Sequence, residues 1–444
     1  MDKKPLISID LFAGAGGLTQ GFKSEGFKSL YANDFDKAAL ETFSLNHPDT
    51  ITSSTPIEEI KPSDIRKQLG LAKGDLDVLL GGPPCQGFST YGKRDPSDLR
   101  NKLPQYFLDF LEEFEPKTFV IENVTGILTM GKGKVIENIV KRAEQIGYGV
   151  TVEVLDAAEF GVPQYRKRVF ILGAWNNKII STPVPTHKIQ GQNGFKRKQL
   201  LEQPTTIEKE IQTVKPTITV RDAISDLPVE VLQPKNTHIS ISYSQNPVSN
   251  YQLEMRDGSS MLTHHSAKQM LGIRRLRLAL LRPGDYGTKI KARIFEDGLP
   301  EELVDELLGG KGLRSLDHCR TEDRVKELEL RRILLQGHVD IEEVLKSLDS
   351  GGFANKYRRL DWNTPSHTLV AHMARDCSDF VHPEIDRFIS VREAARLQSF
   401  PDKYYFHGSQ FSQFKQIGNA VPPKLGAGVA KAIKSFLRAL HNIE

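Results

Sequence analysis

The sequence has few cysteines and no long apolar run, and both absences limit what the protein can be. Only three cysteines, Cys85, Cys319 and Cys377, occur among 444 residues, and no two of them form a Cys-x-x-Cys pair. A disulfide framework and a metal site are therefore not expected, and free thiols fit a reducing compartment. No stretch approaches the roughly 18 consecutive apolar residues of a membrane helix, and the N-terminus lacks the apolar segment of a signal peptide. We therefore expect a soluble, cytoplasmic protein with no membrane partner.

An excess of charge of one sign is missing as well. Lys and Arg total 60 against 56 Asp and Glu, a net charge of +4, so the whole-chain charge does not indicate nucleic-acid binding. Residues 273–293, however, contain a single acid, Asp285, among seven basic residues: Arg274, Arg275, Arg277, Arg282, Lys289, Lys291 and Arg293. Two interpretations of this basic stretch are open, a phosphate-binding surface and a solvated helix face.

Residues 5–180 alternate short β-branched or leucine-rich runs with helical patterns. Strands that alternate with helices predict a doubly wound α/β fold, with a parallel sheet covered on both faces. The predicted strands are 5–11, 29–32, 76–80, 118–121, 151–155 and 169–172.

The pattern changes after Trp175, where Pro, Thr, Lys and Gln become frequent and the periodicity weakens. The pattern of residues 422–441 then predicts an amphipathic helix that begins at two prolines. Because its apolar face needs a core to cover, we expect this helix to return and pack on the N-terminal sheet.

A glycine-rich loop, Asp10–Leu18 (DLFAGAGGL), lies between the first predicted strand and a helix. There, close backbone approach and a helix N-terminus suit a nucleotide-like ligand. Asp34 ends the second strand, where an acidic side chain can bind ribose hydroxyls. This pattern alone equally fits a dinucleotide-dependent oxidoreductase.

Cys85 lies in the segment GGPPCQGFS, directly after the third predicted strand. A lone cysteine is most often a buried apolar residue. Here Pro83, Pro84 and the glycines indicate a loop at the carboxyl end of a strand, where α/β proteins bind ligands.

Two further segments carry charge at strand ends. In IENV, Glu122 follows three apolar residues and is expected at the same sheet edge as Cys85, although it could also cap a helix. In QYRKR, Arg166 and Arg168 are expected on one side of an extended chain, although they could simply be surface residues at a strand edge.

These four segments occur in the order found in the DNA cytosine-5 methyltransferase family, which the sequence resembles. RFISVREAARLQSFPD (387–402) and QIGNAVPP (416–423) resemble the family's last two motifs. The resemblance implies a Rossmann-like methyltransferase domain over 1–180, a smaller, irregular target-recognition domain over 181–384, and a C-terminal segment, 385–444, that returns to the catalytic domain.

The resemblance also implies that S-adenosyl-L-methionine is the cofactor. The matching positions at the cofactor are Phe12, Gly14, Gly16, Leu18, Asp34, Phe35, Leu103, Asn419 and Val421. Family members often place an acid against the adenine amino group, but Thr55-Pro56-Ile57 stands at the matching place here.

For the reaction, the resemblance implies that Cys85 is a nucleophile that adds to C6 of a flipped-out cytosine. Glu122 would protonate N3, Arg168 would stabilise O2, and Arg166 would hold a loop or a phosphate. Gln86 and Ser89 would close over the base, and Thr368 in PSHTLV would lie near it. The sequence does not identify the base that removes the C5 proton.

Double-stranded DNA is the expected partner, and Arg274, Arg275 and Arg277 are the candidate phosphate contacts. An RNA cytosine-5 methyltransferase is the nearest alternative, but the Cys-Phe-Thr tripeptide of that branch is absent. A catalytically silent DNA-binding relative is disfavoured because Cys85, Glu122 and Arg168 are intact. We expect a monomeric bacterial or phage modification enzyme and leave open whether a cognate restriction endonuclease exists.

Overall fold

The computed structural model describes residues 5–84, 103–189, 214–309, 321–335, 341–348, 357–373 and 380–441. Three residues to which the sequence assigns roles, Cys85, Gln86 and Ser89, lie outside the described residues. Within the described ranges, no helix has both the length and the apolar character needed to span a bilayer.

The core of the first half is a seven-stranded sheet in the order β3-β2-β1-β4-β5-β7-β6. Its strands are β1 Leu6–Leu11, β2 Phe27–Asn33, β3 Ile51–Ser53, β4 Val78–Gly81, β5 Thr118–Val124, β6 Tyr148–Asp156 and β7 Lys167–Trp175. The predicted α/β class is confirmed, and each predicted strand is present with longer or slightly shifted bounds. The short and partly exposed β3 was not predicted.

The prediction of a wholly parallel sheet is wrong at β7. The first five strands pair in parallel, whereas β7 runs antiparallel to both β5 and β6. Residues 157–166 alone join β6 to β7, and this connection is too short for the crossover that a parallel pair needs.

Fifteen α-helices can be labelled in the described residues. Those of the first half are α1 Gly17–Ser24, α2 Lys37–Asn46, α3 Pro62–Gln68, α4 Leu103–Phe114 and α5 Lys134–Ile146. The others are α6 Val220–Ile224, α7 Asn250–Arg256, α8 Gly272–Ala279, α9 Ile290–Asp297, α10 Glu301–Leu308, α11 Thr321–Leu335, α12 Ile341–Leu348, α13 Val391–Leu397, α14 Gln410–Asn419 and α15 Pro423–His441. Two small ladders accompany them, β8 (His187–Lys188) with β9 (Lys215–Pro216) and β10 (Ile241–Ser242) with β11 (Met261–Leu262).

Each face of the large sheet has its own apolar core, because successive side chains of a strand point to opposite faces. On β4, Leu79 joins the core formed with α4 and α5. Val78 and Leu80, on the other face, pack with α1 and α15. The sheet is therefore covered on both sides.

The amphipathic helix α15 returns to the N-terminal half, as its apolar face predicted. It crosses α1 so closely that a Cβ atom at Gly21 would lie 2.5 Å from the carbonyl oxygen of Pro423. Leu425, Val429 and Ile433 complete the core on this face of the sheet. Glycine at position 21 allows the two helices to approach this closely.

A third core lies in the second half of the chain. It contains residues of α6, α8 and α10 and also the buried faces of α13 and α14. Arg396, at the end of α13, forms buried ion pairs with Asp402 (2.6 Å) and Asp226 (3.1 Å). These ion pairs thus connect the end of α13 to Asp226, which follows α6.

Candidate active site

The candidate site lies where the strand order reverses. β1 and β4 are neighbours, yet the chain continues from β1 toward β2 and from β4 toward β5, on opposite sides. Ligands of open α/β sheets bind at such switch points, beyond the carboxyl ends of the strands. The loops after these two strands lie side by side, since the Gly82 amide donates to the Leu11 carbonyl at 3.3 Å.

The loop after β1 is open on one side and packed on the other. Phe12, Gly14 and Gly16 all adopt positive φ angles, of 57°, 55° and 84°. A Cβ atom at Gly14 would meet no atom within 4 Å, whereas one at Gly16 would lie 2.8 Å from Phe43 and Tyr404. Gly14 therefore faces free space that a ligand can enter, and Gly16 is needed for packing.

Two carboxyl groups border this loop. Asp34 accepts hydrogen bonds from the amides of Gly14 and Asp36, each at 2.8 Å, and burial raises its pKa. Asp10 accepts from the Thr19 hydroxyl at 2.5 Å, and burial raises its pKa to about 7, with nearby Asp34 adding to the shift. No role was predicted for Asp10, although it stands near the end of β1, directly before the glycine loop.

The other predicted cofactor residues differ in their exposure and position. Phe35 follows Asp34 and is 70% exposed, an unusual state for an aromatic side chain. Asn419, at the end of α14, is exposed, and the Val421 carbonyl lies against the start of α1, 2.3 Å from where a Cβ atom of Gly17 would be. Leu103 begins α4 and is half-buried.

Leu18 differs from the other predicted cofactor residues. Its side chain is buried in the core between the sheet and α15, so only its backbone can contact a ligand. At the place of the family's adenine-binding acid, the Thr55 carbonyl accepts a hydrogen bond from the Asn33 side chain at 2.8 Å. Ile57 is buried, and none of positions 55–57 carries a carboxylate.

The start of the loop that leads to Cys85 is fixed against β5. The Asn123 side chain donates to the Pro83 carbonyl at 2.8 Å. A Cβ atom at Gly82 would lie 3.5 Å from Oε2 of Glu122. Glu122 therefore borders the base of the cysteine loop, at the sheet edge where the sequence placed it. The role of Asn123 was missed, although it is part of the same IENV motif.

Glu122 and Arg168 form a partly enclosed ion pair. Oε1 of Glu122 lies 3.0 Å from Nε of Arg168, because β5 and β7 are adjacent antiparallel strands. Burial raises the pKa of Glu122, while Arg168 and Arg166 oppose that rise. A carboxyl group with a raised pKa beside a guanidinium can donate a proton to one acceptor while the arginine stabilises a second.

Arg166 is a buried structural residue. Only 1% of it is exposed, and its guanidinium donates to the carbonyls of Leu369 (2.5 Å), Gly418 (2.9 Å) and Ala420 (3.1 Å). Of the two roles expected for it, a phosphate contact is wrong, because a side chain enclosed by carbonyl groups cannot reach DNA. Holding a loop agrees with its contacts.

Thr368 lies next to the QYRKR segment. Its hydroxyl donates to the Tyr165 carbonyl at 2.7 Å, and the neighbouring Ser366 forms a parallel bridge with Gln164. The chain therefore brings Ser366 and Thr368 alongside Gln164 and Tyr165, although about 200 residues separate the two segments.

The basic stretch is largely paired. Arg277 is fully buried and donates to the Leu348 carbonyl at 2.8 Å, so its prediction as a phosphate contact is wrong. Arg282 pairs with Asp297, and Arg293 with Asp285. Arg274 and Arg275 are half-buried on α8, with Arg275 4.0 Å from Asp386, so a role in phosphate binding stays a prediction for these two.

Comparisons with known proteins agree with this arrangement. Residues 6–435 match the C-5 cytosine-specific DNA methylase family. The chain is 56% identical to the type II methyltransferase M.AgeI of Thalassovita gelatinovora, over 96% of this chain and 99% of that protein. It is 31% identical to M.DdeI of Desulfomicrobium norvegicum, over 98% and 90% of the two chains. A prophage-encoded E. coli protein assigned to the DNA modification methyltransferases has the same fold, with a TM-score of 0.68, 21% identity and coverage of 98% and 99%. The chain therefore belongs to the C-5 cytosine-specific DNA methylase family and is a DNA (cytosine-5-)-methyltransferase.

Proposed function

We propose that the protein methylates C5 of a flipped-out cytosine within a specific duplex DNA sequence, through a covalent bond between Cys85 and C6. The observation that carries this proposal is the position of the Glu122–Arg168 pair beside Gly82, at the base of the cysteine loop. An acid and a guanidinium next to a nucleophile loop match what addition to a cytosine ring requires.

Cys85, Glu122 and Arg168 each have a separate role in that addition. Cytosine C5 is a poor nucleophile, so the Cys85 thiolate first forms a bond to C6 and moves electron density toward C5. Glu122 donates its proton to N3, and Arg168 stabilises the charge on O2. After C5 gains its methyl group, a base removes the C5 proton, the N3 proton returns to Glu122, and the C5–C6 double bond forms again as the Cys85 thiolate leaves.

The space beside the glycine loop fits S-adenosyl-L-methionine. The free space at Gly14, the exposed Phe35 ring and the Asp34 carboxylate together offer a backbone surface, an aromatic face and a hydroxyl acceptor. Phe12, Gly16, Leu18, Leu103, Asn419 and Val421 would complete this site. The cofactor, when bound, supplies an electrophilic methyl group.

The DNA side of the proposal rests on the recognition region. A stacked cytosine cannot enter such a site, so the base must leave the helix. Gln86 and Ser89 would close the loop over it, with Thr368 close to the target. M.AgeI and M.DdeI are type II methyltransferases, and we therefore propose that this protein is a modification enzyme whose target sequence a cognate endonuclease cuts. We also propose that it acts in the cytoplasm as a monomer.

Replacing Cys85 tests the mechanism. Cys85→Ala should abolish methyl transfer and keep S-adenosyl-L-methionine affinity within a few-fold of normal, because only a covalent role separates the two. Cys319→Ala is the matched control and should keep full activity. Turnover by Cys85→Ala would exclude the covalent step.

A trapping experiment adds direct chemical support. Duplex DNA with 5-fluorocytosine at the target should form an adduct that survives denaturation, because fluorine cannot leave C5 as a proton does. The target is first located by mapping the methylated cytosines in a plasmid, with M.AgeI mapped in parallel. Methylation of tRNA in preference to duplex DNA would contradict the proposal.

A further inference from the structure

A buried polar network joins the cofactor side of the site to the target side. Gln164 and Gln398 are both fully buried, and Nε2 of Gln164 donates to Oε1 of Gln398 at 2.5 Å. Gln398 in turn donates to the Ala420 carbonyl at 2.6 Å. Gln164 lies in the QYRKR segment and Gln398 directly follows α13, so residues far apart in sequence share one chain of hydrogen bonds.

The network binds the backbone of two functional segments. On the target side, Leu369, which follows Thr368, donates its amide to Oε1 of Gln164 at 2.9 Å and accepts from Arg166. On the cofactor side, the Ala420 carbonyl, between Asn419 and Val421, accepts from both Gln398 and Arg166. Each segment is therefore held at one backbone position by two buried side chains.

The two segments also touch directly. A Cβ atom at Gly418 would lie 2.4 Å from the carbonyl carbon of Val370, so the two backbones pack without an intervening side chain. A shift of Ala420 cannot occur without disturbing Gln398, Arg166 and then Leu369. Because a buried polar group without a hydrogen-bond partner is costly, the paired arrangement is strongly preferred.

We propose that Gln398 is a positioning residue for methyl transfer, which fixes the cofactor segment at Ala420 and couples it, through Gln164, to the target segment at Leu369. The inference rests on the proposed function, since Asn419, Val421 and Thr368 are assigned there. It predicts that cofactor binding and recognition of the target sequence strengthen each other by the same factor, and that Gln398 carries much of this coupling.

The test compares two buried glutamines. Gln398→Met keeps the side-chain length and removes the hydrogen bonds to Gln164 and Ala420. Gln413→Met is the matched control: Gln413 is equally buried but bonds to Thr237, Phe406 and Gly408. For each variant, we would measure Tm, the Kd for S-adenosyl-L-methionine, and the Kd for target DNA with and without S-adenosylhomocysteine.

We expect the Tm to fall in both variants. Only Gln398→Met should bind the cofactor roughly tenfold more weakly and lose most of the cofactor's effect on DNA affinity. Equal cofactor and DNA constants in the two variants would overturn the inference. If Gln398→Met does not fold, Gln398→Glu keeps the acceptor for Gln164 and removes the donor to Ala420, and the same criteria apply. Failure of the wild-type protein to bind S-adenosyl-L-methionine would instead contradict the proposed function.

Discussion

Glu122 is the residue whose surroundings most directly determine its chemistry. Its carboxyl group is partly enclosed beside Arg168, and burial raises its pKa. A raised pKa keeps the acid protonated at a higher pH than an exposed glutamate, and only the protonated form can donate to N3. The activity that depends on this proton is therefore present below the raised pKa and lost as the pH rises through it.

We predict that Glu122→Gln lowers kcat by about 10²–10⁴, the usual contribution of a general acid, and leaves DNA affinity within a few-fold. The charge on N3 develops only as the adduct forms, so binding does not depend on it. The alkaline decline of kcat in the wild-type profile should also disappear. Glu113→Gln, which removes the partner of Arg66 on the surface, is the control. Equal losses of rate and DNA affinity would make Glu122 a structural residue.

The arginines of α8 separate into two kinds by burial. Replacing both Arg274 and Arg275 by Gln should weaken binding to all DNA sequences and flatten its salt dependence, by up to ~0.9 in slope for each lost phosphate contact. Arg277→Gln should leave that slope unchanged and lower the free energy of unfolding by about 1–3 kcal/mol, because buried carbonyls of α12 lose their donor. A changed sequence preference in the double variant would identify these arginines as base readers.

Among the elements, α1 and α15 cross with their backbones in close contact. Glycine inside a helix normally costs about 0.5–1 kcal/mol relative to alanine, so Gly→Ala there usually stabilises. At Gly21 the added methyl group would meet backbone atoms of Pro423 and Ala427 at 2.5 and 2.6 Å, which cannot move as a side chain can.

We therefore predict that Gly21→Ala destabilises the protein by about 1–3 kcal/mol, the cost of overpacking, in urea unfolding. Gly126→Ala is the control, because its nearest neighbour would be a side-chain atom at 4.0 Å. A stabilised Gly21→Ala variant would show that the two helices separate readily.

The elements also show why the sequence predicts some parts of this structure and not others. Strand β4 is a short buried apolar run and α15 has one apolar face, so local periodicity identifies both. The reversal of β7 depends on the length of one connection. The burial of Arg166 and Arg277 depends on carbonyls that reach them from Gly418 and Leu348, far along the chain. Local pattern carries no information about such partners.

At the scale of the whole molecule, buried neutral histidines link stability to pH. His264 is fully buried, accepts a hydrogen bond from the Phe406 amide, and has its pKa lowered to about 2, first by burial and then by Arg392. In the unfolded chain its pKa is near 6.5. Its contribution to stability is thus complete above pH 6.5 and is lost as the pH falls toward 2.

We predict that the stability difference between wild type and His264→Gln shrinks by up to about 1.4 kcal/mol per pH unit between pH 6 and pH 4. Urea unfolding at pH 7.5, 6, 5 and 4 measures it, with the exposed His407→Gln as control. A difference that does not change with pH would mean that His264 takes up a proton in the folded state.

The packing of α15 on α1 also has a consequence for synthesis. Ribosomes add roughly 5–20 residues per second, so α1 leaves the ribosome tens of seconds before the helix that covers it. During that interval the apolar side chains of Leu18 and Phe22, together with one face of the sheet, lack the partner that buries them in the finished fold. The nascent chain is therefore expected to expose an apolar surface that holdase chaperones recognise. Methylation activity should appear only after α15 has been translated.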